Sequence, residues 1–446
     1  MPMSSPLKTP AAQDGQHLSA TRTHPNIIFI LIDDLGWREL GAYGNRFNET
    51  PNIDRLATEG LLFTQAYAAA PVCSPTRAAL MTGQYPARIG ITNYLEVNDE
   101  HFLSPDYITI NKRLKSVGYV SALIGKWHLT GDYDKRLGAP QLHGFDEVIA
   151  SERKYIGPGD YFHPYFFMPE MPAREPGEYL TDRLHSEALD FIKRSRERPF
   201  FLYLAHYTVH TQLAAKPDIV RKYQRKPGAG KEQNNPVLAA MIESIDEGVG
   251  HIMRTLDALG LSENTLLVFT SDNGGEIGVT TNAPLRAGKS TLYEGGLRVP
   301  AIMHWPAQIK PGTTDATPII TADYYPTFLQ AAGVPCDQRQ VVDGVSLVPL
   351  FKGNGRLGRD TLYWHYPLAS PHFLGGRSSG VIRHGNFKLI EFYDTGKVEL
   401  YDLLNDVSEQ YDLAPTMPDK VSQLRQMFDA WRKQVGTDMT PMRPDM

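Results

Sequence analysis

The sequence predicts an α/β fold: a large mixed, mostly parallel sheet flanked by helices, followed by a smaller C-terminal antiparallel sheet with one helix. Three observations carry this. Residues 26–32, 200–205 and 265–270 are continuous apolar runs of strand length, the pattern of parallel strands buried on both faces. Segments with helix start and stop signals lie between them. From about residue 350 the runs shorten and are joined by Gly-containing turns such as His384-Gly385-Asn386. A chain of 446 residues exceeds a typical single domain. It divides into a leader (1–24), an α/β domain (25–349) and a C-terminal α+β subdomain (350–446).

With 45 basic and 50 acidic residues the net charge is −5. No overall positive field recruits nucleic acid or a membrane surface, so any anion must be met by local cations. Two cysteines, Cys73 and Cys336, cannot form a disulfide framework. No apolar run is long enough to span a bilayer. Residues 1–24 are polar and rich in Ser, Thr, Ala and Pro, which reads as a disordered leader without a signal-peptide core. The protein is therefore cytoplasmic if this N-terminus is native, and exported if a signal segment is missing from the sequence.

Along the chain, the first apolar run ends in Asp33-Asp34. Open α/β sheets place ligands at the carboxyl ends of such strands, and two adjacent carboxylates repel there without a cation. Residues 50–60 read as a capped helix with a glycine stop and a structural role. Ser74 and Pro75 precede an apolar run that stops at Gly83, which sets Cys73 at a helix start. Free N–H groups and the helix dipole favour an anion there, and Arg77 projects from the same helix face. Residues 109–117 form a second amphipathic helix. A strand at 119–124 leads into Gly125-Lys126-Trp127-His128, and in extended chain Lys126 and His128 leave one face together.

Residues 155–172 are crowded with Tyr, Phe and Pro, either a lid that stacks on sugar faces or a packed interface. The strand at 200–205 ends in His206-Tyr207-Thr208-Val209-His210. Residues 216–235, basic and polar, read as an exposed loop. The run at 265–270 is followed by Asp272-Asn273. If its strand neighbours the first, Asp33, Asp34, Asp272 and Asn273 converge as an all-oxygen site for calcium or magnesium rather than zinc. Residues 381–383, 387–390 and 398–403 read as strands and 421–431 as a helix. The loop 370–377 could reach over the mouth of the site.

Taken alone, Cys73 reads as a buried apolar residue or as a thiol nucleophile. Its neighbours change that. Cys73-x-Pro75-x-Arg77 followed by Ala78-Ala79-Leu80-Met81-Thr82-Gly83 resembles the signature of the type I (formylglycine-dependent) sulfatases, of the alkaline phosphatase-like superfamily. The resemblance runs from residue 25 to about 440. It includes Thr50-Pro51-Asn52-Ile53-Asp54, Gly125-Lys126-Trp127-His128 and the stretch 282–300 around Lys289.

The resemblance implies that a formylglycine-generating or anaerobic maturation enzyme converts Cys73 to Cα-formylglycine, whose gem-diol attacks the sulfur of a sulfate ester. It implies a calcium ion on Asp33, Asp34, Asp272, Asn273 and residue 73. Asp272 would draw a proton from one gem-diol oxygen, and Arg77 and Lys126 would hold that oxygen. His210 and Lys289 would serve the leaving alcohol, and His128 would take the proton whose loss expels sulfate. His210 is preferred to a packed His206 by its distance past the strand, although Gln212 stands where the family has proline. Glu294, Gly295 and Gly296 would shape a turn, and Arg298 would pair structurally.

The expected substrate is a sulfated carbohydrate or another sulfated small molecule, and the expected compartment is periplasmic or extracellular. Two rival expectations remain: a phosphonate monoester hydrolase or phosphodiesterase of the same superfamily, and a non-catalytic sulfated-glycan-binding relative whose Cys73 stays a thiol.

Overall fold

The structure is a computed structural model that describes residues 24–154, 161–231, 234–353 and 355–437. The expected leader lies, apart from His24, outside the described residues. A nine-stranded sheet is built from β1 (Asn26–Ile32), β2 (Leu61–Tyr67), β3 (Val120–Gly125), β4 (Glu147–Ile149), β5 (Phe200–Ala205), β6 (Thr265–Ser271), β7 (Arg298–His304), β8 (Thr313–Asp315) and β9 (Ile319–Ile320). Its order is β4-β3-β5-β1-β6-β7-β2-β8, with β9 also paired to β2. The strands from β4 to β6 are mutually parallel, whereas β7 is antiparallel to both β6 and β2.

The apolar runs are unbroken because both faces of the sheet are covered. In β1, Ile28, Ile30 and Ile32 enter one core, which the helices Leu180–Ser195 and Pro236–Ala258 close. Ile27, Phe29 and Leu31 enter the other, under the helices Ile110–Lys115 and Tyr324–Ala331. Full burial of each such side chain contributes roughly 1.5–3 kcal/mol, so the central strands are the rigid part of the molecule. No helix among the described residues is long and apolar enough to cross a membrane.

Several expected boundaries move. The second amphipathic helix is Ile110–Lys115, shorter than 109–117. Thr50 stands at the start of helix Pro51–Glu59 without capping it, because its hydroxyl donates to Asp54 Oδ1 at 3.0 Å instead. The segment 216–235 is not an exposed loop throughout. Residues Pro217–Gln224 are helical, with Ile219 and Tyr223 buried against helix Pro236–Ala258. Two buried side chains four residues apart make the apolar stripe, and the lysines that disguised it pair with Glu49 and Glu243.

The C-terminal sheet contains β10 (Thr361–Tyr366), β11 (Ser379–His384), β12 (Phe387–Phe392) and β13 (Val398–Asp402), all antiparallel. Helix Pro418–Val435 packs on it, with Trp431 stacked on Tyr363 at 4.7 Å. A buried charge cluster ties this sheet to the larger one. Lys388, 1% exposed, pairs with Glu294 at 3.0 Å and Glu409 at 2.8 Å. Arg298 of β7 pairs with Glu294 at 2.6 Å. The short helix Glu294–Leu297 and Arg298 thus have the structural roles expected of them.

Burial raises the Glu409 carboxyl from 4.5 to about 7, against the pull of Lys388. A carboxyl with a raised folded pKa takes up a proton on folding, so its contribution to stability falls as pH rises from 4.5 through about 7. Lys388→Met leaves the buried carboxylates short of a cation. It is expected to destabilise by ~3–5 kcal/mol above neutral pH, with a smaller deficit near pH 5, where Glu409 is protonated. Thermal midpoints across that range check this. An unchanged midpoint above neutral pH removes the cluster from the forces joining the sheets.

Candidate active site

β1 and β6 pair in parallel register, Ile32 opposite Ser271. The residues leaving their carboxyl ends, Asp33-Asp34 and Asp272-Asn273, are therefore side by side. Asp34 adopts φ 64, which swings its carboxylate out of the strand line, and its N–H donates to Asp272 Oδ1 at 3.1 Å. Helix Cys73–Thr82 begins at Cys73, whose Sγ lies 3.4 Å from Asp33 Oδ1. Carboxylate oxygens of Asp33, Asp34 and Asp272 and Cys73 Sγ lie within 4.8 Å of one another.

Three buried carboxylates at this spacing require cations. Arg77 donates from Nη2 and Nε to Asp272 Oδ2 at 2.7 and 3.1 Å, and from Nη1 to the Lys126 carbonyl at 3.0 Å. Lys126 Nζ donates to Asp33 Oδ2 and Lys289 Nζ to Asp34 Oδ2, each at 2.6 Å. Burial by itself would raise Asp34, but Lys289 and His210 hold its carboxyl well below the usual range. Burial, reinforced by Asp33, pushes Asp272 up to about 6. Burial also raises the Cys73 thiol, which keeps its proton and is a poor nucleophile as a thiol.

A metal fits this set. Asn273 Nδ2 donates to Asp34 Oδ1 at 2.7 Å, yet its Oδ1 is buried with no partner. An amide oxygen in that condition loses hydration without compensation. Oxygen donors from Asp33, Asp34, Asp272 and Asn273 suit a hard divalent cation.

The histidines are placed by the ends of β3 and β5. β3 is Val120–Gly125, so Lys126 and His128 lie beyond it, and the extended-chain argument for their common face does not apply. Instead Gly125 turns at φ +103, where a Cβ would lie 1.9 Å from the Ala205 carbonyl oxygen, and His128 adopts φ 53. Both side chains still reach the site. His128 Nε2 lies 3.0 Å from the Leu95 carbonyl, which can only accept, so the proton sits on Nε2. Its Nδ1 is buried and unpaired. Burial and the Lys126 ammonium lower this imidazole well below its ordinary value.

His210 is arranged the other way. Its Nδ1 donates to the Thr211 carbonyl at 2.6 Å, and Nε2 lies 3.8 Å from Asp34 Oδ2. His206 is fully buried beside His185, ring centroids 4.6 Å apart, and does not enter the site.

A cavity of about 590 Å³ opens over Cys73, His128, His210 and Lys289. Its outer wall is made by residues 94–99 and by His372 and Phe373. The loop 370–377 thus reaches the mouth, as the sequence suggested. The described part of the aromatic stretch, residues 161–172, does not line it. Residues 155–160 fall outside the described residues, and Tyr161, Tyr165 and Phe167 belong to the core. Tyr161 donates to the Tyr207 and His210 carbonyls at 2.9 and 2.7 Å, which buttresses His210 from behind.

Sequence reasoning missed two contributors. Glu152, 5% exposed, accepts from Trp127 N at 3.0 Å and from the His128 N–H, and so fixes the turn that aims His128. The 94–99 segment carries no motif and is recognisable only by its position beside residue 73.

The family model described as Sulfatase matches residues 25–334, and that described as N-sulphoglucosamine sulphohydrolase, C-terminal, matches residues 287–434. The chain is 37% identical over 375 residues to the N-acetylgalactosamine-6-sulfatase of Canis lupus familiaris, covering 76% of this chain and 68% of that one. It is 31% identical over 528 residues to the steryl-sulfatase of Rattus norvegicus, covering 93% and 89%. Among solved structures, Ps i-CgsB in complex with k-i-k-neocarrahexaose superposes with a TM-score of 0.82 at 32% identity, covering 95% of both chains. A match across most of the chain, together with the oxygen-rich centre at the ends of β1 and β6, means that the chain belongs to the sulfatase family, has the alkaline phosphatase-like fold and is a sulfuric ester hydrolase.

Proposed function

We propose that this enzyme removes sulfate from a carbohydrate, using Cys73 in its formylglycine form and a calcium ion held by Asp33, Asp34, Asp272 and Asn273. The observation that carries the reading is the setting of Cys73. It sits at a helix start, within 4.8 Å of three buried carboxylates, under a cavity large enough for a sugar ring. The carbohydrate preference draws on the relatives, one named for N-acetylgalactosamine and one bound to a neocarrahexaose. When present, the metal supplies charge neutralisation and polarises a sulfate oxygen, and the hydrated aldehyde supplies an oxygen nucleophile with a second hydroxyl for turnover.

The remaining work falls to side chains already oriented. Arg77 and Lys126 hold Asp272 and Asp33 in place and keep positive charge beside residue 73, a field prepared before substrate arrives. His128 presents an unprotonated Nδ1, the acceptor needed to take a proton from residue 73. His210 turns an unprotonated Nε2 toward the cavity, where it can accept a hydrogen bond, and the Lys289 ammonium beside it supplies the proton and counter-charge that the leaving alkoxide needs.

The test pairs mass spectrometry of the peptide containing residue 73 with turnover, using protein made with a maturation enzyme. The expected result is an aldehyde in place of the thiol, and hydrolysis of 4-nitrophenyl sulfate in preference to a matched phosphonate monoester. An intact thiol in active protein, or a preference for the phosphonate, overturns the reading. In converted protein, His128→Asn is expected to lower kcat by about 10²–10⁴, with residue 73 still converted. A loss below tenfold removes His128 from proton transfer. Chelation with EGTA is expected to abolish turnover and to lower the thermal midpoint, because a metal that binds only the folded state stabilises it. Both are expected to return on adding calcium. An unchanged midpoint argues against a metal on these residues.

A further inference from the structure

The cavity changes character from floor to rim. Lys289 is the sole lysine or arginine among the described residues that line it, and its ammonium is already bound to Asp34 at 2.6 Å. Further out the charged lining residues are carboxylates. Glu96 is exposed beside the Tyr94 phenol, whose pKa burial and Glu96 together raise. Asp99 lines the same wall and accepts from the His101 N–H at 2.9 Å.

The rim also carries a continuous aromatic edge. Phe373 is 82% exposed and stacks on His372 at 4.4 Å, and His372 meets Tyr94 edge-on at 5.6 Å. His372 Nδ1 accepts from Leu374 N at 3.1 Å, so the neutral ring carries its proton on Nε2 and adds no charge.

From this arrangement we infer that the outer cavity takes a ring whose only anionic substituent is the reacting sulfate. Glu96 is the residue that rejects a second anion, and Phe373 is the face on which the ring packs. The inference deepens the sulfatase reading and rests on it. A ring seated against Phe373 buries its C–H face on an aromatic surface. Its hydroxyls meet acceptors on Glu96 and Asn98. A second sulfate or carboxylate on that ring would give up hydration, find no free lysine or arginine, and face two carboxylates. Discrimination by an unfavourable contact of this kind is built against the wrong ligand rather than for the right one.

The test uses two ligands that differ by one anion, 4-nitrophenyl sulfate and 4-carboxyphenyl sulfate. Their kcat/KM ratio is measured on converted enzyme, and their dissociation-constant ratio by calorimetry on unconverted Cys73 protein. The neutral ring is expected to be favoured by about tenfold or more in both. Glu96→Gln is expected to narrow the ratio and Glu96→Lys to bring it to unity or invert it. Phe373→Ala is expected to weaken both ligands by about threefold or more without moving their ratio, since stacking acts on the ring and not on its charge. A wild-type ratio near unity, a ratio that Glu96→Lys does not shift, or absence of binding by either ligand overturns the inference. Selective binding without turnover in converted protein contradicts the catalytic reading alone.

Discussion

Three carboxylates are buried within a few ångströms of one another at the ends of two adjacent strands, and the rest of the site exists because of that crowding. Charge so placed cannot persist without compensation. Each carboxylate accordingly has its own cation: Lys126 on Asp33, Lys289 on Asp34 and Arg77 on Asp272. The three cations come from three separate parts of the chain, so the charge balance binds those parts to the end of the sheet. The proposed divalent cation, added to that balanced set, would leave the pocket net positive and so favour a sulfate monoester.

The two sheets divide the labour. The parallel strands supply a buried platform whose carboxyl ends hold Asp33, Asp34, Asp272 and Asn273. The C-terminal sheet, locked on through Lys388, Glu294 and Glu409, presents the loop that carries His372 and Phe373 to the cavity. A fixed chemical centre beneath a wall of loops lets substrate choice change without disturbing the reaction.

Much of the site is legible in the sequence because its residues follow local signals. Asp33-Asp34 and Asp272-Asn273 terminate unbroken apolar runs, and Cys73 opens a helix stopped by Gly83. Strands β2, β4, β7, β8, β9 and β10 were not legible. In β7, Pro300 interrupts the strand signal even though the strand sits between two antiparallel partners. The helix Pro217–Gln224 was hidden by lysines whose acidic partners lie elsewhere in the chain. The aromatic residues after 160 left a lid and a packed interface equally open, and Tyr161, Tyr165 and Phe167 are core, because composition does not say which neighbour an aromatic ring will find.

The sequence by itself determined the α/β class, the central strands, and the residues that gather at their ends. Each of these depends on periodicity or on chemistry written within a few positions of chain. Only the tertiary structure decided how those residues are oriented and paired. The free nitrogen of His128 follows from a carbonyl at Leu95, its backbone turn from Glu152, and the orphaned oxygen of Asn273 from an amide committed to Asp34. The acidic and aromatic wall joins residues 94–99 to His372 and Phe373. Such contacts span tens to hundreds of residues, and a local pattern carries no record of them until the chain has closed on itself.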